Sequence, residues 1–151
     1  MLIIVVYVDD IIFGSNEESM SQKFASVMQQ EFEMSLLLEL TYFIGLQVQQ
    51  AKYGIFLSQK QYLNKILKKY AMEDCKPVCT PIMTGSNLGS HDDYPMVNQP
   101  KYRSMIGSLL YLKVTRPDIM HVVGIAGNFK ASPKESHLQA IEIIFKYLQE
   151  T

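Results

Sequence analysis

Tryptophan is missing from this chain of 151 residues, and cysteine occurs only at positions 75 and 79. Two cysteines cannot build a disulfide scaffold, so stability must come from a packed core, and a reducing compartment is expected. Cys75 and Cys79 also lack the second ligand pair of a structural zinc site, with His91 the only nearby helper. A long apolar run is absent too. The stretch at residues 2–8 is far too short to span a bilayer and ends at two aspartates. It has neither the basic start nor the small-residue cleavage site of a signal peptide, so the chain reads as soluble. No internal repeat, low-complexity tract or phosphate-cradling glycine loop is present.

Net charge is also nearly absent, at -1, but that balance hides a gradient. Residues 1–50 carry one lysine against seven acids, whereas residues 51–101 carry seven lysines against four acids. An acidic end beside a basic remainder suits a site where metal meets polyanion, although scattered surface charge produces such gradients too. A hydrophobic content of 48% is enough for one modest domain with a real core.

β-Branched residues dominate 2–8 and 11–14, which predicts two strands. Helical spacing follows from about residue 16 to 34, with Ser15 or Asn16 as cap and Glu17 and Glu18 complementing the helix dipole. Residues 42–50 and 54–59 predict a hairpin, and Gly45 within the first strand marks a bulge or a close backbone approach. Ser58 can cap a helix over 59–72, where Tyr62, Leu63, Ile66, Leu67 and Tyr70 form an apolar stripe. Four prolines and many turn formers make 75–100 an irregular connection that includes His91, Asp92 and Asp93. Three helical stretches follow, at about 101–113, 117–129 and 133–149. The last begins with a capping-box pattern, Ser132-Pro-Lys-Glu135. The expected class is a mixed α/β chain of the α+β kind.

The chemistry concentrates at Asp9 and Asp10. Burying unpaired carboxylates is costly, so two acids between apolar runs need a reason. Adjacent residues within a strand point to opposite faces, but at a tight turn both can project from one end of a hairpin. There they would offer hard oxygen ligands to a divalent ion. A solvated Asp–Asp turn is the simpler alternative. A phospho-acceptor domain is excluded on architecture, since a strand rather than a helix follows the acids.

The segment "YVDDIIFGS" (7–15) resembles the Y-x-D-D box of reverse transcriptases from copia-type LTR retrotransposons. "FEMSLLLELTYFIGLQV" (32–48), "GIFLSQKQYLNKILKKYAMEDCKPVCTP" (54–81), "YRSMIGSLLYLKVTRPDIM" (102–120) and "SPKESHLQAIEIIFKYLQET" (132–151) are similar to that family's segments, in the same order. The resemblance implies a partial polymerase palm over 1–58, a thumb-like helix over 59–74, a linker over 75–100, and a helical segment over 101–151 leading toward an RNase H domain. It implies that Asp9 and Asp10 are two of three catalytic carboxylates of a two-metal Mg2+ (or Mn2+) site. Tyr7 and Val8 would lie near the primer end and nucleotide. Phe43, Ile44, Gly45 and Leu46 would form a primer-grip-like hairpin, and Lys60, Lys65, Lys68 and Lys69 would follow phosphates. The implied partners are an RNA or DNA template–primer and dNTPs, with no membrane; the implied compartment is the cytoplasm, within virus-like particles, or the nucleus.

Departures from the family pattern include Leu38 in place of an expected glycine and Lys113 in place of a small hydroxyl residue. The third aspartate and the fingers would precede Met1, so the chain alone is expected to be inactive as a polymerase. A non-catalytic relic that binds nucleic acid through its basic helix is the alternative of a different class.

Overall fold

The computed structural model describes residues 1–37, 39–82 and 94–149. Leu38 and residues 83–93 of the expected linker, with His91, Asp92 and Asp93, therefore lie outside the described residues. Two compact units are present, Met1–Leu40 and Thr41–Thr151. The architecture is α+β, with two small antiparallel sheets and five α-helices among the described residues.

In the first unit, β1 (Leu2–Tyr7) and β2 (Asp10–Ser15) form an antiparallel hairpin. The register runs from Leu2 opposite Ser15 to Tyr7 opposite Asp10, leaving Val8 and Asp9 as a two-residue turn. Helix α1 (Glu18–Glu31) packs beside β2, with Phe24 edge-on to Phe13 at 5.0 Å between ring centroids. It begins two residues later than expected. The Ser15 hydroxyl accepts the Glu17 N–H at 3.1 Å, and this local turn holds Glu17 extended as the N-cap. At the other end Phe32 is extended, so the helix stops short of residue 34.

The second unit holds the larger core. Its sheet has the order β3–β4–β5, built from Tyr42–Phe43, Leu46–Ala51 and Gly54–Ser58. The expected hairpin between 42–50 and 54–59 forms as β4 and β5, but the first strand is split. Ile44 and Gly45 have φ of 47° and 76°, both positive, which turns the chain sharply between β3 and β4.

Helix α2 (Lys60–Lys69) follows, then α3 (Gln99–Leu112), a 3-10 turn at Pro117–Ile119, α4 (Met120–Gly127) and α5 (Glu135–Leu148). Tyr102, Met105, Ile106, Leu109 and Leu112 repeat at helical spacing along α3 and are all buried. They share one core with Val122, Val123 and Ala126 of α4, Ile141, Ile144, Phe145 and Leu148 of α5, and Ile66 and Leu67 of α2. Each fully buried aliphatic side chain there contributes about 1.5–3 kcal/mol. The Tyr102 hydroxyl donates to the Ala126 carbonyl at 2.7 Å, so its polar end is satisfied inside the core.

Helix boundaries differ from expectation for local reasons. The N-cap of α3 is Asn98, whose Oδ1 accepts the Lys101 N–H at 2.8 Å, with Pro100 in the first turn. The expected Ser132 capping box does not form. Instead Val97 N–H donates to the Pro133 carbonyl at 3.1 Å and Glu135 N–H to the Pro95 carbonyl at 3.0 Å. This pairing holds Lys134 extended, and its N–H donates to His137 Nδ1 at 3.1 Å. Helix α2 ends at Lys69 rather than at residue 72. Ala71 takes a positive φ of 55°. Its N–H bonds the Lys68 carbonyl and Met72 N–H bonds the Leu67 carbonyl, which together make a Schellman cap.

Candidate active site and nucleic-acid interface

The acidic pair stands at the tip of the β1–β2 hairpin. Asp9 is the second residue of the turn, Asp10 opens β2, and both are exposed. Tyr7 and Asp10 are direct cross-strand partners, so their side chains share one face. Val5 and Ile3 follow on that face by alternation, half or more exposed at 51% and 57%. An apolar apron thus leads up to the carboxylates. Val8 is 85% exposed and holds a positive φ of 54°, a conformation that β-branched residues avoid. Left-handed backbone costs such a residue about 1–2 kcal/mol.

Magnesium favours hard oxygen ligands and keeps several waters, so two exposed carboxylates on one turn fit part of its shell. Among the described residues no group of three or more His, Cys, Asp or Glu is gathered.

The second hairpin tip belongs to the other unit. Phe43 and Leu46 are the last paired residues, both half-buried, and Ile44 and Gly45 form the turn between them. Ile44 is 43% exposed. Primed two-residue turns favour Asn-Gly, so an isoleucine at the first position carries the same cost of about 1–2 kcal/mol. Tyr111 on α3 donates its hydroxyl to the Ile44 carbonyl. A Cβ placed on Gly45 would lie 2.5 Å from that hydroxyl oxygen, so a side chain there would push the tyrosine away, and the φ of 76° itself favours glycine.

Tyr111 is itself well held. Its ring stands edge-on to Tyr62 at 4.7 Å, and its carbonyl accepts Gln59 Nε2 at 3.4 Å. Gln59 is only 3% exposed, and its Oε1 accepts the Thr115 hydroxyl at 2.8 Å. The Tyr62 hydroxyl donates to the Ser108 carbonyl at 3.3 Å. Burial pushes the Tyr62 hydroxyl above the ordinary tyrosine range.

Helix α2 presents Lys60, Lys65, Lys68 and Lys69, all exposed. Lys65, Lys68 and Lys69 lie on the half opposite Ile66 and Leu67, whereas Lys60, seven residues before Leu67, opens the helix on the Leu67 side. Lys68 and Lys69 in the last turn complement the helix dipole. Lys69 Nζ also donates to Ser104 Oγ of α3 at 3.1 Å and lies 5.0 Å over the Tyr70 ring. The Tyr70 hydroxyl bonds Ser104 and Ser108 at 2.9 and 3.0 Å. Although burial acts the other way, these bonds and the lysine bring the Tyr70 hydroxyl below its ordinary range.

Tyr111, Tyr62 and Gln59 did not stand out in the sequence as functional. Tyr111 lies in "SLLYL", an apolar run that reads only as core, and nothing in local spacing links it to residue 45.

The family model described as reverse transcriptase (RNA-dependent DNA polymerase) matches residues 1–84. The chain belongs to the reverse transcriptase family. Among curated relatives, a retrovirus-related Pol polyprotein from transposon RE1 of Arabidopsis thaliana is 35% identical over 97% of this chain, which covers 10% of that protein. The corresponding polyprotein from transposon TNT 1-94 of Nicotiana tabacum is 28% identical over 99% of this chain and 12% of its own length. An uncharacterized mitochondrial protein of Arabidopsis thaliana, AtMg00810, is 32% identical over 98% of this chain and 61% of its own length. The chain thus spans about a tenth of the Pol polyproteins that it matches. The resemblance to copia-type retrotransposon reverse transcriptases is borne out. No solved structure matches. Among the described residues, no helix is long and apolar enough to cross a membrane.

Proposed function

We propose that this chain is the part of a copia-type reverse transcriptase that carries the Y-x-D-D hairpin of the palm, a primer-grip-like hairpin and the start of a thumb. The parent reaction is templated addition of dNTPs to a primer 3′-hydroxyl. The reading rests chiefly on one observation: Asp9 and Asp10 stand exposed at the tip of a tight hairpin, within the segment that the family model matches. In this reading Asp9 and Asp10 hold divalent ions, which when bound neutralise phosphoryl charge and activate the attacking oxygen. Tyr7 and Val8 lie beside the primer end. Residues 43–46 touch the primer, and Lys60, Lys65, Lys68 and Lys69 follow backbone phosphates without reading sequence. In the full polyprotein an RNase H domain follows.

The 151-residue polypeptide on its own supplies two carboxylates, and we expect it to bind primer–template without extending it. Primer extension with Mg2+ or Mn2+ tests this. Templated synthesis that disappears in Asp9→Asn would overturn the expected inactivity while supporting the assigned site. Thermal stability of Asp9→Asn should stay within about 0.5 kcal/mol of wild type, because an exposed turn carboxylate contributes little to folding. Reversing charge at Lys65, Lys68 and Lys69 should weaken a salt-sensitive affinity for nucleic acid. Unchanged binding would remove the thumb-like role of α2.

A further inference from the structure

Both hairpin tips place a β-branched residue at positive φ, Val8 in one and Ile44 in the other. Strained backbone persists only where surrounding structure holds it, and it clusters where function needs a particular shape. Pairing gives the β3 side of the β3–β4 hairpin little of that hold, since beyond the strand pairs only the Val48 N–H to Thr41 carbonyl bond, at 2.8 Å, extends it among the described residues. Strand β3 is two residues long and makes two cross-strand pairs, Tyr42 with Gln47 and Phe43 with Leu46.

We propose that Tyr111 is the positioning residue of the Ile44–Gly45 turn, clamping it so that the exposed Ile44 side chain meets the primer strand. This rests on the nucleic-acid reading given above. Three observations carry it. The Tyr111 hydroxyl donates to the Ile44 carbonyl, and its ring closes against Gly45 so tightly that a Cβ there would lie 2.5 to 3.4 Å from three of its atoms. The tyrosine is anchored by Tyr62 and Gln59, so it carries the rigidity of the α2–α3 core to the tip. Finally, Ile44 is 43% exposed at a position where asparagine would relieve the backbone, so the turn keeps an apolar side chain at the expense of its own stability.

The test uses the purified chain and a fluorescein-labelled primer–template duplex, with affinity measured by anisotropy across a salt series and stability by thermal melting. Tyr111→Phe keeps the ring and removes the hydroxyl. It should weaken binding severalfold and speed amide exchange at residues 44–46. The slope of log affinity against log salt should stay unchanged, because no phosphate contact is lost. Ile44→Asn should raise the melting temperature and yet weaken binding fivefold or more, a combination that a purely structural turn would not show. The triple charge reversal at Lys65, Lys68 and Lys69 serves as control and should flatten the salt slope. If the lysine variant loses affinity while Tyr111→Phe and Ile44→Asn bind as wild type, the positioning role is overturned and the nucleic-acid reading stands. If the unmodified chain does not bind the duplex at all, both fall together.

Discussion

Replacing Ala71 by glycine should stabilise this protein, although it deletes a methyl group. Ala71 occupies the position after the α2 C-cap with a positive φ of 55°, where glycine is the usual occupant. A Cβ in that conformation costs about 1–2 kcal/mol through its approach to the following carbonyl. Against this, glycine adds conformational freedom to the unfolded chain, worth about 0.4–1 kcal/mol. Ala71 is exposed, so no buried contact is lost with the methyl. The flanking Schellman bonds, to the Lys68 and Leu67 carbonyls at 3.1 and 2.9 Å, involve only backbone and survive the change. The net expectation is a gain of about 0.5–1 kcal/mol. Urea unfolding can be followed by tyrosine fluorescence, which the absence of tryptophan leaves uncontaminated. It would show a higher midpoint with unchanged slope. A lower midpoint for Ala71→Gly would mean that residue 71 does not hold the left-handed conformation and that α2 continues toward residue 72.

Two further outcomes follow from titration and pairing. Burial pushes the Tyr102 hydroxyl up to about 12, so the folded state keeps a proton that the unfolded chain releases near pH 10. The Tyr102 contribution should therefore be flat below pH 10 and make stability fall as pH rises toward 12, by at most about 1.4 kcal/mol per pH unit. Tyr102→Phe should remove that part of the alkaline fall and lower neutral-pH stability by about 0.5–1.5 kcal/mol through the lost bond to Ala126. At the other extreme, the Arg116 guanidinium bonds both oxygens of Asp118, at 3.0 and 2.6 Å, and holds its carboxyl below the usual range. Because this carboxyl is depressed in the folded state, its contribution is present above the ordinary aspartate value and is lost as pH falls through the folded one. Asp118→Asn should flatten that acid limb, as followed by acid unfolding monitored by circular dichroism. It should also weaken the bond that the Tyr147 hydroxyl donates to Asp118 at 2.8 Å, because a neutral amide oxygen is the poorer acceptor.

Much of the molecule was legible in the sequence because its signals are local. The β-branched runs around Asp9 and Asp10 set strand type, and the two residues between them predicted a tight turn. The structure shifts that turn by one, to Val8 and Asp9, and pairs Asp10 with Tyr7 as the first residue of β2. The stripe Tyr62, Leu63, Ile66, Leu67 and Tyr70 located α2 and put its lysines largely elsewhere, Lys65, Lys68 and Lys69 on the other half. Helix ends were less legible. Ser132 has the pattern of a cap, but the pairing of Val97 with Pro133 and Glu135 with Pro95 holds that stretch extended, and this pairing joins segments more than thirty residues apart. Ala71 looks like an ordinary helical residue, and its left-handed conformation reflects the burial of Met72 against the same core as Leu67.

The sequence by itself determined the class of elements, the acidic turn and the family, since periodicity, turn length and motif spacing are properties of neighbouring residues. Only the tertiary structure decided what holds the second hairpin tip. Gly45 read alone was a bulge or a close approach, and the partner of its turn lies 67 positions beyond Ile44 in a run that looked like plain core. Tyr111 reaches that turn because the packing of α2 on α3 brings its hydroxyl to the Ile44 carbonyl. A contact of that kind is a matter of where two helices cross, and no local pattern encodes it.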